Sequence, residues 1–121
     1  MKVINIDDVE GKTVVDPGAT RTVKVVLHTK KTGIHYAMFP PGQQSSAHTH
    51  AETEELVYIV KGKGTITAGD ETQSYAANHL VYIPPGVTHQ YKNAGNEEMI
   101  LLVIYNPPTM IASVKRAMKA K

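Results

Sequence analysis

The chain contains no cysteine. That excludes disulfides, thiolate metal sites and cysteine nucleophiles, and it fits a reducing compartment. It also lacks a long apolar run. The longest, Met99 to Tyr105, is far short of the ~20 residues that a membrane-spanning helix needs. The opening MKVINIDDVEGK places acids where a secretory signal would carry an apolar core. The expectation is therefore a cytoplasmic protein that does not enter a membrane. No stripe of Lys and Arg interleaved with aromatics is present, so nucleic acid is not an expected partner. The last acid is Glu98, and Lys115, Arg116, Lys119 and Lys121 follow it. The formal charge of +2 is thus a property of the C-terminus, while residues 1–108 hold more acids than bases. A Ser-His-Asp pattern, a nucleotide fingerprint, an internal repeat and a low-complexity segment are all absent. The Gly62-Lys63-Gly64 step reads as a hairpin turn, not as a phosphate-cradling loop.

What is present is frequent punctuation. Turn signals stand at Asp16-Pro17-Gly18, Pro40-Pro41-Gly42, Gly62-Lys63-Gly64, Gly69-Asp70, Pro84-Pro85-Gly86 and Pro107-Pro108. Between them lie short β-prone runs: 22–27, 34–39, 56–60, 64–68, 81–83, 88–92 and 99–105. Short strands at regular spacing imply a sandwich or barrel. In the first run Val23, Val25 and Leu27 alternate with Thr22, Lys24 and Val26, as in a half-buried strand. Met99 to Tyr105 is apolar on both faces. It reads as a central strand covered on each side, with a partner subunit as a candidate cover. In the tail, Ile111, Val114 and Met118 recur at helical spacing, and the basic residues suit a helix C-terminus. The length of 121 residues leaves room for one domain, with a core barrel over about 20–106 and a helix over 109–120.

The chemistry concentrates in HTHAETEE, residues 48–55. In an extended segment His48 and His50 project to one face. Two imidazoles with a nearby carboxylate make a partial coordination shell, suited to zinc, copper, iron, nickel or manganese. Glu54 and Glu55 both stand within reach, and His89, after the Pro84-Pro85-Gly86 turn, is a candidate third imidazole. Taken singly, each of the six histidines is more commonly a surface or packing residue than a ligand.

Together these segments resemble the two motifs of the cupins. Gly42 is followed by five residues, His48-Thr49-His50, four residues, Glu55, six residues and Gly62. In the second motif, Pro84-Pro85-Gly86 is followed by two residues, His89, three residues and Asn93. Asn78 stands where the family has the opening glycine, a tolerant replacement in a left-handed backbone. The resemblance implies an all-β, single-domain double-stranded β-helix (jelly-roll) barrel with a short C-terminal helix. It implies one divalent metal ion (Mn, Fe, Ni or Zn) held by His48, His50, Glu55 and His89, with Glu52 and Glu54 as solvated neighbours. Glu55 is preferred to Glu54 because it stands six residues before Gly62. His35 and Tyr91 are weaker candidates for contact with a substrate, while His28 and His79 match no motif position. The resemblance implies an enzyme acting on a small oxygenated substrate by dioxygenase, isomerase, lyase or decarboxylase chemistry. The alternative is a binding module that senses or sequesters a small ligand or metal without turnover. A homodimer is the expected assembly.

Overall fold

A computed structural model describes residues 1–16 and 19–119. Nine strands follow one another: β1 (Lys12–Asp16), β2 (Ala19–His28), β3 (Gly33–Phe39), β4 (Glu54–Lys61), β5 (Lys63–Ala68), β6 (Glu71–Ala76), β7 (Leu80–Ile83), β8 (His89–Lys92) and β9 (Met99–Asn106). The helix α1 (Ala112–Lys119) closes the described chain. The strands form a six-stranded sheet in the order β1-β2-β3-β9-β4-β7 and a three-stranded sheet in the order β6-β5-β8. Every named strand pair is antiparallel.

The period-two pattern decides which side chains face inward. In β3, His35, Ala37 and Phe39 are buried and alternate with half-buried Ile34, Tyr36 and Met38. Opposite residues in an antiparallel pair share a face, so Ala37 and Leu101 continue one inner row and Tyr36 and Leu102 one outer row. The core gathers Val14, Val23, Phe39, Val57, Ile59, Ile66, Tyr75, Ile83, Met99, Leu101 and Val103 from both sheets. β9 is central in its sheet, between β3 and β4, as its double apolarity implies.

Several expectations need correction. β2 starts at Ala19 and β1 precedes it, so the strands begin earlier than residue 20. A bulge between Val25 and Leu27 pairs Leu27 with Ile34 on the outer side, so Leu27 does not share the inner face of Val23. β6 was not among the β-prone runs. The helix begins at Ala112, leaving Ile111 just before it, and residue 120 of the expected helix lies outside the described residues.

Gly62 is not a hairpin turn. The strands on either side of it, β4 and β5, belong to different sheets and do not pair. The chain crosses from one sheet to the other there, with Gly62 at φ +82°. A Cβ at Gly62 would sit 2.8 Å from the Glu98 carbonyl oxygen, and one at Gly64 would sit 2.7 Å from Met99 Sδ. The corner is therefore tight against the loop entering β9. Gly62→Ala should be destabilised by the left-handed strain of about 1–2 kcal/mol plus the cost of this crowding. Gly69→Ala shares the positive φ but has open space around it, so it should show the strain alone. Urea unfolding of the two variants measures the difference.

Candidate metal centre

The segment between β3 and β4 runs along β8 as an irregular extra strand. Asn93 N donates to Gln43 O at 2.9 Å, Ser45 N to Tyr91 O at 2.9 Å, and His48 and His89 exchange both backbone bonds at 3.0 and 2.9 Å. Gly86 N then donates to His50 O at 2.8 Å. These bonds tie the two histidine-bearing segments to each other before any side chain is considered. Asn93, 1% exposed, clamps the far end. Its Nδ2 donates to Phe39 O at 2.9 Å and to Glu97 O at 2.8 Å, and its Oδ1 accepts from Gly95 N at 3.0 Å. Asn78 holds φ +70°, so the asparagine that stands for a glycine does occupy the left-handed region.

This frame brings together His48, His50, Glu55 and His89. Their ligand atoms all lie within 4.8 Å of one another. His48 and His89 rings are 4.3 Å apart, and those of His48 and His50 are 5.0 Å apart. Glu55 comes from β4 and is 1% exposed. Its Oε1 lies 3.1 Å from His89 Nε2 and 3.6 Å from His50 Nε2, the latter too long for a hydrogen bond. Its Oε2 accepts a short hydrogen bond from the Tyr91 hydroxyl. Glu54 points elsewhere and accepts from Tyr82 at 3.1 Å, while Glu52 is exposed.

The tautomers follow from the partners. His48 Nδ1 is 2.8 Å from Ser46 O and His89 Nδ1 is 2.9 Å from Val87 O. A carbonyl only accepts, so both Nδ1 atoms carry the proton and both neutral rings present an Nε2 lone pair to the group. At His89 that lone pair faces the Glu55 carboxylate. Two acceptors at that distance need a proton or a cation between them. His50 Nε2 is buried and has no hydrogen-bond partner among the described residues. A buried orphaned nitrogen beside a buried carboxylate fits a cation, because binding one satisfies both groups at once.

The protonation preferences agree. Burial holds His48 down at about 4, with His89 adding to the effect and the Ser46 carbonyl opposing it. Burial also lowers His50, against the pull of Glu55. Burial tends to raise Glu55, yet the hydrogen bonds from His89 and Tyr91 outweigh it and the carboxyl lies below its ordinary value. Burial likewise opposes charge on His89, but Glu55 raises it above the ordinary value. The metal-free group is thus a carboxylate with one favoured proton and two imidazoles kept neutral.

Of the remaining candidates, Tyr91 touches Glu55 and His35 does not. His35 lines an adjoining cavity of about 40 Å³ with Arg21, Ser45, His48, Tyr91 and Tyr105. Its Nε2 is 2.9 Å from Nε2 of His28, whose ring stacks on it with centroids 5.1 Å apart. His28 is therefore an exposed residue with a buried partner, and not simply surface. His79 accepts a backbone bond from Ala76 N at 3.0 Å and has no place at the site. Arg21, Ser45, Tyr105 and Thr109, whose hydroxyl lies 3.4 Å from His50 Nδ1, carry no signal in the sequence. Each lies well away from the motif positions along the chain, or is a common polar residue, so only the assembled barrel shows its position.

The cupin domain family matches residues 35–105 of the chain. The chain belongs to the cupins. It is 29% identical to an uncharacterized protein of Streptomyces coelicolor over 108 residues, covering 89% of this chain and 98% of that one. Auxin-binding protein 1 of Arabidopsis thaliana is 30% identical over 122 residues, covering 90% of this chain, while the chain spans 61% of that longer protein. Among solved structures, a Thermotoga maritima protein described as a predicted oxalate decarboxylase has a TM-score of 0.81 at 18% identity, covering 87% of this chain and 98% of that one. His48, His50, Glu55 and His89 form a possible metal-binding group typical of cupins.

Burial pushes His35 down to about 4, with His28 adding to the effect and Glu55 opposing it. The unfolded chain then binds a proton at His35 between pH 6.5 and about 4 that the folded state refuses. Its contribution to stability is full above 6.5 and is lost as pH falls toward 4. In that window His35 should supply a slope of up to about 1.4 kcal/mol per pH unit. His35→Phe should unfold with a flatter pH dependence in urea titrations between pH 6.5 and 4, and an unchanged slope would contradict the assignment.

Proposed function

We propose that this protein is a mononuclear metal-dependent cupin, with His48, His50, Glu55 and His89 as the ligands of one divalent ion, and that it acts as an enzyme on a small oxygenated substrate. The observation that carries the reading is the orphaned His50 Nε2 beside the buried Glu55 carboxylate. Imidazole with one carboxylate suits iron, manganese, nickel or zinc. When bound, such an ion supplies Lewis acidity and orients oxygen ligands. The chain's own groups have separate tasks. The Ser46 and Val87 carbonyls fix the tautomers of His48 and His89. Tyr91 fixes Glu55 by donating to its outer oxygen. Arg21, His35, Ser45 and Tyr105 make the adjoining cavity polar on one side, which favours an oxygen-rich ligand over a purely structural ion. With iron the reaction class is oxidoreductase chemistry such as dioxygenation; with the other ions it is isomerase, lyase or decarboxylase chemistry.

A second reading, a module that binds a small ligand without turnover, is favoured by the similarity to Auxin-binding protein 1 over 90% of the chain. The cavity bears on it too, since about 40 Å³ admits roughly three water-sized groups and leaves little space for rearrangement. Substrate turnover, tested against oxygen-consuming and oxygen-independent assays on metal-loaded protein, separates the two.

A homodimer is part of the same proposal. The outer face of the six-stranded sheet is apolar from β7 to β3, running through Leu80 and Tyr82, Leu56 and Tyr58, Leu102 and Ile104, and Ile34 and Tyr36. Leu80 is 64% and Tyr82 54% exposed. A largely apolar face of this kind, with Glu54 hydrogen-bonded to Tyr82 at its edge, is suited to pairing with itself across a two-fold axis. A cytoplasmic placement, supported by the absence of cysteine, completes the reading. Among the described residues no helix is long and apolar enough to cross a membrane.

Elemental mass spectrometry should find near-stoichiometric metal in the purified protein and a loss of most of it in His50→Ala and in His89→Ala, with the barrel still folded. Unchanged metal in either variant would refute the ligand assignment. Sedimentation equilibrium should show a dimer at micromolar concentration, and Leu102→Glu should shift it to monomer. A wild-type monomer would remove the dimer.

A further inference from the structure

Arg21 occupies an inward position of β2, between the buried Ala19 and Val23 of the same strand. It is 4% exposed. A guanidinium stays charged at any accessible pH and carries five N–H donors in a planar fork. Among the described residues its one hydrogen bond runs from Nη1 to Asp16 Oδ2 at 3.1 Å. The same Asp16 oxygen also accepts from Ser113 of α1 at 2.9 Å. A single contact to a shared oxygen is well short of the bidentate pairing that a carboxylate offers to a guanidinium. Arg21 also lines the cavity beside His48, His35, Tyr91 and Tyr105.

One use of Arg21 is to pin α1 to β1 through Asp16 and Ser113. That use does not require a charge. A buried ion pair is often no more stabilising than an apolar pair of the same size, because both ions must be stripped of water. A cationic fork on the wall of a cavity whose lining is otherwise largely apolar, with Val23, Ala37, Phe39, Leu101 and Val103, is better explained by an anion that enters the cavity. The charges point the same way. Arg21 and Asp16 cancel, and Glu55 offsets half of a divalent ion, leaving one positive charge in excess. The size is also bounded. Ile111 and Val114 close the cavity on the α1 side, and about 40 Å³ leaves room for a short molecule only.

We propose that Arg21 is an anion anchor and that the site takes a small carboxylate, whose carboxylate group pairs with the guanidinium while its other oxygen function is directed to the His48, His50, Glu55 and His89 group. This inference rests on the metal-centre reading and adds the substrate class to it. Arg21 then decides specificity: it selects short carboxylic acids over neutral carbonyl or diol compounds of the same length.

The test is calorimetric titration of metal-loaded protein with glyoxylate and with glycolaldehyde, a charged and a neutral two-carbon probe, with metal content quantified on the same samples. The wild type should bind glyoxylate about tenfold or more tightly than glycolaldehyde. Arg21→Gln, with its metal retained, should lose that preference, and Arg21→Lys should keep part of it, having the charge without the fork. Equal affinities in the wild type, or a preference that survives in Arg21→Gln, would overturn the anchor. Should Arg21→Gln not fold, Arg21→Lys takes its place: a severalfold weaker affinity for glyoxylate with glycolaldehyde unchanged supports the anchor, and no change overturns it. Absence of metal from the wild type would sink the metal-centre reading instead. The same titration on metal-free protein then still decides the anchor, by whether any preference for glyoxylate depends on Arg21.

Discussion

The molecule is organised around one costly placement, the Glu55 carboxylate at 1% exposure facing the Nε2 atoms of His50 and His89. Burying a carboxylate without compensation is among the most unfavourable substitutions a core can carry. Here it is offset on one side by the Tyr91 hydroxyl and on the other by a proton or cation shared with the imidazoles. In the metal-free protein the His89 proton serves, which is why Glu55 raises His89 while His89 helps lower Glu55. His50 Nε2 gains no hydrogen-bond partner among the described residues in that state. A proton satisfies a single nitrogen, whereas a metal ion satisfies all four groups. Protons and metal therefore compete for the same group, and metal affinity is tied to pH by the chemistry of the ligands.

The motif residues that are not ligands serve the backbone. Asn93 closes the loop between β8 and β9 with three hydrogen bonds. Gly86 at φ +80° lets its N–H reach the His50 carbonyl. Gly62 lets the chain change sheets against the Glu98 carbonyl, and that corner sets where β4 and so Glu55 lie. The spacing shared by the family is thus a spacing between corners as much as between ligands. A barrel with the corners displaced would carry the same four side chains without bringing them within 4.8 Å.

Much of this was legible in the chain. The strand runs around Phe39, Val57, Ile66 and Leu101 show in alternation and turn residues, because burial on one face imposes a period of two. The pair His48 and His50 was readable for the same reason. β6 was not, because its sequence ETQSYA buries Tyr75 and leaves its first four residues exposed, so it has almost no apolar signal. β1 was missed because KTVVD sets buried Val14 beside exposed Val15, which blurs the alternation. The corner at Gly62 looks like a hairpin locally, and only the pairing of β4 with β7 and β9 shows that it is not. Arg21 reads as an ordinary charge on a half-buried strand until β1 and α1 enclose it. These misses share a cause: each depends on which elements meet, and local pattern does not carry that.

On this reading, three imidazoles and one carboxylate meet at a single ion. X-ray absorption at the edge of the bound metal tests it most directly, since imidazole rings give a distinctive multiple-scattering signal. The shell should be dominated by nitrogen and oxygen, with scattering from about three imidazoles. A shell of oxygen alone, without imidazole scattering, would contradict it.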